Sequence, residues 1–499
     1  MKASTLFPSA GIAVPPGFDA EVTGIEYDSR KVRKGSAFFT LAGMKADGKT
    51  YIADAVSRGA SVVVSEKEYG GDFPCIVVRD ARNALASVSE AFFGCPSQTL
   101  MIAGVTGTNG KTTTTYLVES MLAADGVACG VIGTVEYRFG GKRIEAPHTT
   151  PEAPELSGIL AEMKSAGTKA VAIEVSSHAL DMKRVEGLSF DVAAFSNLTR
   201  DHLDYHGTMD KYYAAKSRLF RSFPSCGKKT TAVINIDDRF GRILAGWTQF
   251  PVISVSGTPE AKSDIHPITS EVTLDGIRAT VAAPGGRVEV RSSLVGRHNL
   301  ANILLAAGIA RALGVSTKGI ESGIASMRGV PGRLERVGNS AGVACLVDYA
   351  HTDDALVNVL TTLRELATAR IITVFGCGGD RDRGKRPLMG NAAASLSDIA
   401  IVTSDNPRTE DPAAIIREIL PGVKATGKKE IAGGGLAGSG FAVIQDRREA
   451  IAVAVSAAGR GDILLIAGKG HEDYQIVGTV KHHFDDREEA ARAFESKKR

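Results

Sequence analysis

Gly104-Val105-Thr106-Gly107-Thr108-Asn109-Gly110-Lys111-Thr112-Thr113 closes the apolar run from Leu100 to Val105 and opens a stretch able to form a helix from Lys111 to Ala124. Strand, glycine-rich turn and helix in that order make a phosphate-binding loop. Gly107 and Gly110 let backbone N–H groups turn inward on a polyphosphate, Lys111 adds a cation, and Thr112 or Thr113 offers a hydroxyl to Mg2+. The helix directs the positive end of its dipole at the same anion. The usual G-x-x-x-x-G-K-[ST] spacing needs glycine where this chain has Val105, so the loop is a variant. Gly107, Thr108, Asn109, Gly110, Lys111, Thr112 and Thr113 are therefore the candidate nucleotide-binding residues.

Outward from this loop, as far as about Gly332, apolar strands alternate with helical stretches: Ala128 to Thr134, Lys169 to Val175, Asp191 to Asn197 and Thr231 to Ile236. That is the pattern of a mainly parallel sheet covered by helices, where ligands gather at the carboxyl ends of the strands. Polar groups fall at those ends: His148-Thr149-Thr150-Pro151, Glu174-Val175-Ser176-Ser177-His178, and the segment from Asn197 to His206, which contains Asp201, His202 and Asp204. Glu174 and His202 are the candidate metal ligands, since a phosphate-bound Mg2+ takes only one or two protein groups. Any single histidine here otherwise reads as a hydrogen-bonded structural residue. In Tyr212-Tyr213-Ala214-Ala215-Lys216-Ser217-Arg218-Leu219-Phe220, burial would give Lys216 a neutral amine able to react with CO2 and become a metal-binding carbamate. The residues alone favour a snorkelling surface lysine. His298-Asn299 opens a helix running to Leu313; its polar start suits either a nucleotide base or a cap.

Before the boundary at Gly94-Cys95-Pro96-Ser97-Gln98, short apolar runs such as Ser36 to Leu41 and Ala60 to Ser65 make a small α/β unit. Its polar segments Asp28-Ser29-Arg30 and Gly43 to Gly48 read singly as surface turns. Beyond Gly329-Val330-Pro331-Gly332 the alternation resumes: strand Val343 to Tyr349, helix Asp353 to Leu366, and strands Ile371 to Phe375, Ile399 to Thr403 and Ile463 to Ala467. This is an open dinucleotide-type sheet without a well-placed G-x-G-x-x-G. Three loops follow its strands: Gly376 to Pro387, Asp405-Asn406-Pro407-Arg408, and Gly468-Lys469-Gly470-His471-Glu472. The expected fold class is α/β in three domains, 1–97, 98–332 and 333–499.

A length of 499 residues is consistent with that number of domains. The 59 basic and 56 acidic residues are too nearly balanced to argue for nucleic acid or an anionic membrane as partner. Six cysteines without a C-x-x-C pair indicate neither a zinc site nor a disulfide framework. Pro8, Pro15 and Pro16 interrupt the N-terminus where a secretory signal needs an apolar core. A soluble cytoplasmic protein is expected.

Together the motifs resemble the Mur ligases of peptidoglycan synthesis over essentially the whole chain. Thr106 to Thr113, Glu174 to His178, Asn197 to His206, Ala215-Lys216, His298-Asn299, Gly332-Arg333-Leu334-Glu335, Asp348-Tyr349-Ala350-His351 and Gly468 to Glu472 occur in the family's order. The chain is most similar to the MurE-type branch, which adds the third residue of the stem peptide to UDP-N-acetylmuramoyl-L-alanyl-D-glutamate. The resemblance implies a UDP-substrate-binding N-terminal domain, a central ATPase domain and a Rossmann-like C-terminal domain carrying the incoming amino acid. It implies ATP and Mg2+ as cofactors, a carbamylated Lys216 carrying a second metal ion, and nucleotide contacts from Asn299, Arg333 and Asp348. It assigns Ser29, Lys45, Ala46, Thr149, Thr150, Ser176 and Arg184 to the UDP substrate. Met182 and Met44 stand where some members have polar residues.

Asp405-Asn406-Pro407-Arg408 is similar to the family's meso-diaminopimelate signature. Diaminopimelate has a far carboxylate that lysine lacks, and an arginine fork can grip it with two parallel hydrogen bonds. Arg408 is the candidate grip; by the same resemblance Arg381, Asp405, Asn406, Pro407, Gly468 and Glu472 complete the pocket, with Glu472 suited to the distal ammonium. In the implied chemistry ATP phosphorylates the D-glutamate side-chain carboxylate and an amine attacks the acyl phosphate, with Lys111, Lys216, His202 and Glu174 at the centre. The alternatives are the same reaction with L-lysine, a folylpolyglutamate-type ligase, and a non-catalytic nucleotide switch. A monomer with no nucleic-acid or membrane partner is expected.

Overall fold

The strand leading into the phosphate loop, Met101–Thr106, lies inside an eight-stranded sheet and is flanked on both sides by parallel neighbours, Val192–Phe195 and Ala170–Glu174. The computed structural model describes residues 1–15, 18–43, 47–71, 73–221, 228–431, 436 and 438–497. The chain divides into two packed units: Met1–Pro267 with Val281–Val288 and Ala301–Ile324, and Ile268–Thr280 with Glu289–Leu300 and Ala325–Arg499. The architecture is α/β, as expected.

In the first unit a parallel four-stranded sheet, Gly24–Glu26, Ser36–Phe39, Val62–Ser65 and Cys75–Val77, packs Phe39 and Val64 against Leu6, Phe7 and Leu85. The eight-stranded sheet runs Val252–Val255, Thr231–Asn235, Val192–Phe195, Met101–Thr106, Ala170–Glu174, Cys129–Ile132, Glu136–Phe139, Lys142–Glu145. Its inner strands are buried on both faces, which is why they read as unbroken apolar runs. The last two strands form an antiparallel hairpin that the sequence expectations did not include. Its half-buried edge alternates instead of running apolar, and its turn is Gly140-Gly141, both at positive φ. The helix after the phosphate loop spans Lys111–Ala124, as expected.

A three-stranded sheet, His266–Thr273, Gly276–Ala283 and Gly286–Ser292, was likewise absent from the expectations. Its polar, largely exposed first strand gives little apolar signal. In the second unit a six-stranded sheet runs Glu335–Val337, Ala344–Asp348, Ile463–Ala467, Ile371–Phe375, Ile399–Val402, Gly440–Val443; all its pairings are parallel except the first. Alternate residues of each strand face opposite cores: Leu346, Phe375 and Leu465 pack with Leu356, Leu360 and Ile419, while Cys345, Val374 and Ile466 pack with Ile451, Val455 and Phe494. Among the described residues no helix is long and apolar enough to cross a membrane.

Candidate active site

The phosphate loop is held open by its glycines. Gly107 (φ 149°) and Gly110 (φ 86°) occupy backbone conformations that strain other residues. A β-carbon on Gly107 would fall 1.9 Å from Ser196 Oγ, and one on Gly110 would fall 2.2 Å from Asn302 Oδ1. Neighbouring strand ends fix the loop: Thr108 N–H donates to Asn197 O at 2.8 Å, Asn109 N–H to Asn197 Oδ1 at 2.9 Å, and Ser196 Oγ to Asn109 O at 2.6 Å. Thr112 and Thr113 are buried at the helix start.

Two lysine amines meet on one carbonyl. Lys111 Nζ donates to Gly107 O at 2.9 Å and to Thr108 O at 2.8 Å, and Lys216 Nζ donates to Gly107 O at 2.7 Å. Lys216 is only 1 % exposed, so the snorkelling surface lysine favoured by its residues alone is corrected here. Helix Met209–Ser217 turns Tyr212 and Lys216 inward together, with the ammonium position 4.7 Å from the Tyr212 ring centroid. Burial first, and the Lys111 charge second, hold the Lys216 amine well below the usual lysine range. Its charged form is disfavoured there.

Glu174 ends its strand 1 % exposed and accepts from Thr134 N–H at 3.0 Å and Thr134 Oγ1 at 2.9 Å. Thr134 Oγ1 also lies 3.1 Å from Thr149 Oγ1, while Thr150 Oγ1 donates to Glu174 O at 2.8 Å and receives Ser176 N–H at 3.1 Å. Arg184 joins this group by donating to Thr150 O at 2.8 Å and pairing with Glu152 at 2.8 Å; it also contacts Met182 Sδ. His202 sits at φ 53° just before a short helix, within a ring cluster with His178 (centroids 5.0 Å apart) and Tyr212 (6.1 Å). Burial drives its pKa down to about 4, against the pull of Asp201. His206 has the structural role expected of an isolated histidine: Nε2 lies 3.0 Å from Ser177 Oγ, buried.

Ser29 does not sit on an open surface turn as the sequence suggested. It is buried in the one-turn helix Ser29–Lys31, where its hydroxyl faces Asp54. Lys45 and Ala46, with Met44, lie outside the described residues.

The second unit gathers the other candidates. Asp348 is buried and accepts Leu334 N–H at 2.7 Å and Ala350 N–H at 2.8 Å; burial raises its carboxyl above the ordinary range despite Arg333. The Arg333 guanidinium lies over the Tyr349 ring, 4.8 Å from its centroid. Asn299 turns its amide to Val295 O at 2.8 Å. Asp405, Asn406 and Pro407 are buried, so this turn has an interior role. Asn406 Nδ2 donates to Glu472 Oε2 at 2.8 Å, and Asn406 Oδ1 accepts Ile476 N–H at 2.9 Å. A β-carbon on Gly468 would lie 2.5 Å from Asp405 Oδ2. Glu472 is pushed above the ordinary carboxyl range by burial and by Asp405, with Lys469 opposing. Arg408, at φ 52°, donates Nη1 to Gly379 O at 2.8 Å, and Arg381 turns to Asp380 O at 3.0 Å.

Sequence reasoning missed three working residues. Thr134 binds both Glu174 oxygens, yet it stands at the end of a strand that was read only as a strand. Asn197 anchors the loop, a role that its place at a strand end and in a polar segment does not by itself reveal. Lys469 is fully buried and bonds Asn406, Glu472 and Tyr474 O. Its place between Gly468 and Glu472 was the available signal.

Family models match three stretches of the chain: the Mur ligase family, catalytic domain, over residues 21–92; the Mur ligase middle domain over 105–310; and the Mur ligase, glutamate ligase domain over 332–470. The chain belongs to the Mur ligase family. It is 50 % identical over 483 residues to the UDP-N-acetylmuramoyl-L-alanyl-D-glutamate--2,6-diaminopimelate ligase of Geobacter metallireducens, covering 95 % of this chain and 94 % of that one. It is 43 % identical over 491 residues to the enzyme of the same name from Geobacillus kaustophilus, covering 98 % of each. A solved structure of a UDP-N-acetylmuramoyl-L-alanyl-D-glutamate--2,6-diaminopimelate ligase superposes with a TM-score of 0.72 at 34 % identity, over 100 % of this chain and 99 % of that one. The MurF ligase of Thermotoga maritima in complex with ADP has the same Mur ligase fold at 18 % identity and a TM-score of 0.61.

In the first unit Thr112, Thr113, Glu174 and His202 offer donor types that a divalent ion accepts. Hydroxyls, one carboxylate and one neutral imidazole are hard or borderline ligands. Among the described residues no group of three or more His, Cys, Asp or Glu side chains is built to hold a metal. A divalent ion would accordingly draw much of its shell from phosphate oxygens and water.

Proposed function

We propose that this Mur ligase joins meso-2,6-diaminopimelate to the D-glutamate of UDP-N-acetylmuramoyl-L-alanyl-D-glutamate, using ATP, in three domains spanning 1–97, 98–332 and 333–499. The observation that carries it is the meeting of Lys111 and Lys216 on the Gly107 carbonyl at the carboxyl edge of a parallel sheet. A carboxylate is a poor electrophile. Transfer of the ATP terminal phosphoryl to the D-glutamate side chain makes an acyl phosphate, and attack by the amino acid's amine then forms the amide and releases phosphate. Gly107, Thr108, Asn109 and Gly110 supply backbone donors for the polyphosphate, and Lys111 offsets charge on the phosphoryl in flight.

Thr112 or Thr113, Glu174 and His202 are the residues that would hold Mg2+, which when bound would offset negative charge on the ATP phosphates. The neutral Lys216 amine would take up CO2 and lose a proton, becoming a carbamate able to accept a second metal ion. Asn299, Arg333 and Asp348 are assigned to the nucleotide. Ser29, Lys45, Ala46, Thr149, Thr150, Ser176 and Arg184 are assigned to the UDP substrate. A cytoplasmic setting, where ATP is at hand, suits this reaction.

Arg408 favours diaminopimelate over L-lysine, because its fork suits a second carboxylate. Arg381, Asp405, Asn406, Pro407, Gly468 and Glu472 line the rest of that pocket. The test is phosphate release by the purified chain with ATP, the UDP-muramoyl dipeptide and a panel of amino acids. Release only with dipeptide and diaminopimelate together is expected; release without either, or equally with lysine, refutes the assignment. Arg408→Ala should lower kcat/KM for diaminopimelate about 100-fold, the order of magnitude for a lost charge-assisted pair, while KM for ATP stays within about twofold.

A further inference from the structure

The two loops around Arg408 are interlocked. Gly379 N–H donates to Asn406 O at 2.9 Å, and a β-carbon on Gly379 would fall 1.9 Å from Pro407 O. In return Arg408 Nη1 donates to Gly379 O at 2.8 Å, while Thr409 puts its N–H and hydroxyl on the Asp380 carboxylate at 3.2 and 2.8 Å. Asp380 (φ 53°) and Arg408 (φ 52°) both hold left-handed backbone conformations. Such conformations persist where the surroundings over-determine them.

An ion cluster centred on a buried guanidinium supplies that constraint. Arg386, near the start of helix Lys385–Leu396, is fully buried and donates Nη2 to Glu410 Oε1 at 2.8 Å and Nη1 to Glu410 Oε2 at 3.0 Å. Nη1 also reaches Glu418 Oε2 at 2.7 Å, and Nη2 reaches Gly378 O at 3.3 Å. Glu410 Oε1 accepts Asp380 N–H at 2.6 Å. One carboxylate thus ties the guanidinium to the backbone of one loop while standing two residues beyond Arg408 on the other. The Arg386 hydrogen bonds hold the Glu410 carboxyl down to about 2, so Glu410 stays ionised in any neutral buffer.

Building on the diaminopimelate assignment, we propose that Arg386, Glu410 and Glu418 form a positioning clamp for Arg408, setting the preference for an amino acid with a distal carboxylate over one without it. These residues act through the backbone of Asp380 and Arg408. A two-point arginine grip is directional, and a misplacement of about 1 Å costs about 100-fold in a well-oriented step.

The test is steady-state kinetics of the full chain and its Glu410→Gln and Glu418→Gln variants, with diaminopimelate and L-lysine as rival amino acids. Glu410→Gln keeps the shape of the clamp and removes its charge. It should raise KM for diaminopimelate about tenfold, leave KM for ATP within about twofold, and narrow the diaminopimelate-to-lysine ratio. Glu418→Gln, at the half-exposed end of the cluster, should shift the same ratio less and keeps the test open should Glu410→Gln fail to fold. An unchanged ratio in the folded variants, or KM values for all substrates rising together, overturns the clamp alone. Failure of the unaltered chain to use diaminopimelate overturns both the clamp and the assignment beneath it.

Discussion

Lys216 is the residue whose surroundings most change its chemistry. Its nine-residue helix, Met209–Ser217, has no broad apolar stripe, so nothing in the local pattern tells which face is covered. Tyr212 and Lys216 face inward because they are four apart, and the phosphate loop lies above them. An amine held there forfeits hydration, and its charged form is disfavoured. Such a site stores instability in return for reactivity. Lys216→Met should therefore keep or raise the melting temperature, since an apolar chain of similar length removes the desolvation cost. The same change should lower kcat about 100-fold or more, in line with losing one preorganised charge at a phosphoryl-transfer site. Thermal unfolding and phosphate release on one preparation decide it: a lower melting temperature with normal kcat would make Lys216 a structural residue.

Among the elements, those with two apolar faces or strong end signals were legible. Helix Lys111–Ala124, helix Asp353–Leu366, strand Ile371–Phe375 and strand Ile463–Ala467 match the ranges expected from sequence. The hairpin Tyr474–Val477 with Val480–His483 was not legible, because its second strand is exposed throughout and its function is to hold another backbone. It does so through Arg408 N–H to Ile476 O at 3.0 Å and Gly478 N–H to Arg408 O at 2.7 Å. Contacts across sequence, such as those making Thr134 a partner of Glu174, leave no local periodicity. Helix Thr317–Ser326 gives a testable case: a β-carbon on Gly323 would fall 2.4 Å from Met121 Cα in the phosphate-loop helix, and Ser120 Oγ donates to Gly323 O at 2.7 Å. Gly323→Ala should force these helices apart and cost about 1–3 kcal/mol, the usual range for overpacking, despite alanine's better helix propensity. Chemical denaturation measures it; a stabilised variant would contradict so close an approach.

For the molecule as a whole, the nearly balanced formal charge of +3 hides large local imbalances. Those inside the protein control its response to acid. His471 lies 5.1 Å from the Tyr349 ring centroid, and burial, reinforced by Arg333, brings its pKa down from 6.5 to about 4. Its folded value is thus below its unfolded one, so between pH 6.5 and 4 the unfolded chain binds more protons and stability falls as pH falls. Glu410, a depressed carboxylate, acts with the same sign in a lower window: its contribution is complete above about 4.5 and is lost only as pH drops toward 2. Asp348 and Glu472, raised by burial, take up protons in the folded state first and partly offset the histidine. The raw slope therefore mixes these groups, but the difference between the unaltered chain and His471→Asn isolates one. Between pH 6.5 and 4.5 that difference should reach about 1–2 kcal/mol, reduced from the full shift because the ring is partly exposed. Calorimetry is the suitable method, since Trp247, the one tryptophan, belongs to the first unit and His471 to the second. Parallel pH profiles for the two proteins would mean that His471 titrates alike folded and unfolded, and that its burial against Tyr349 does not persist in solution.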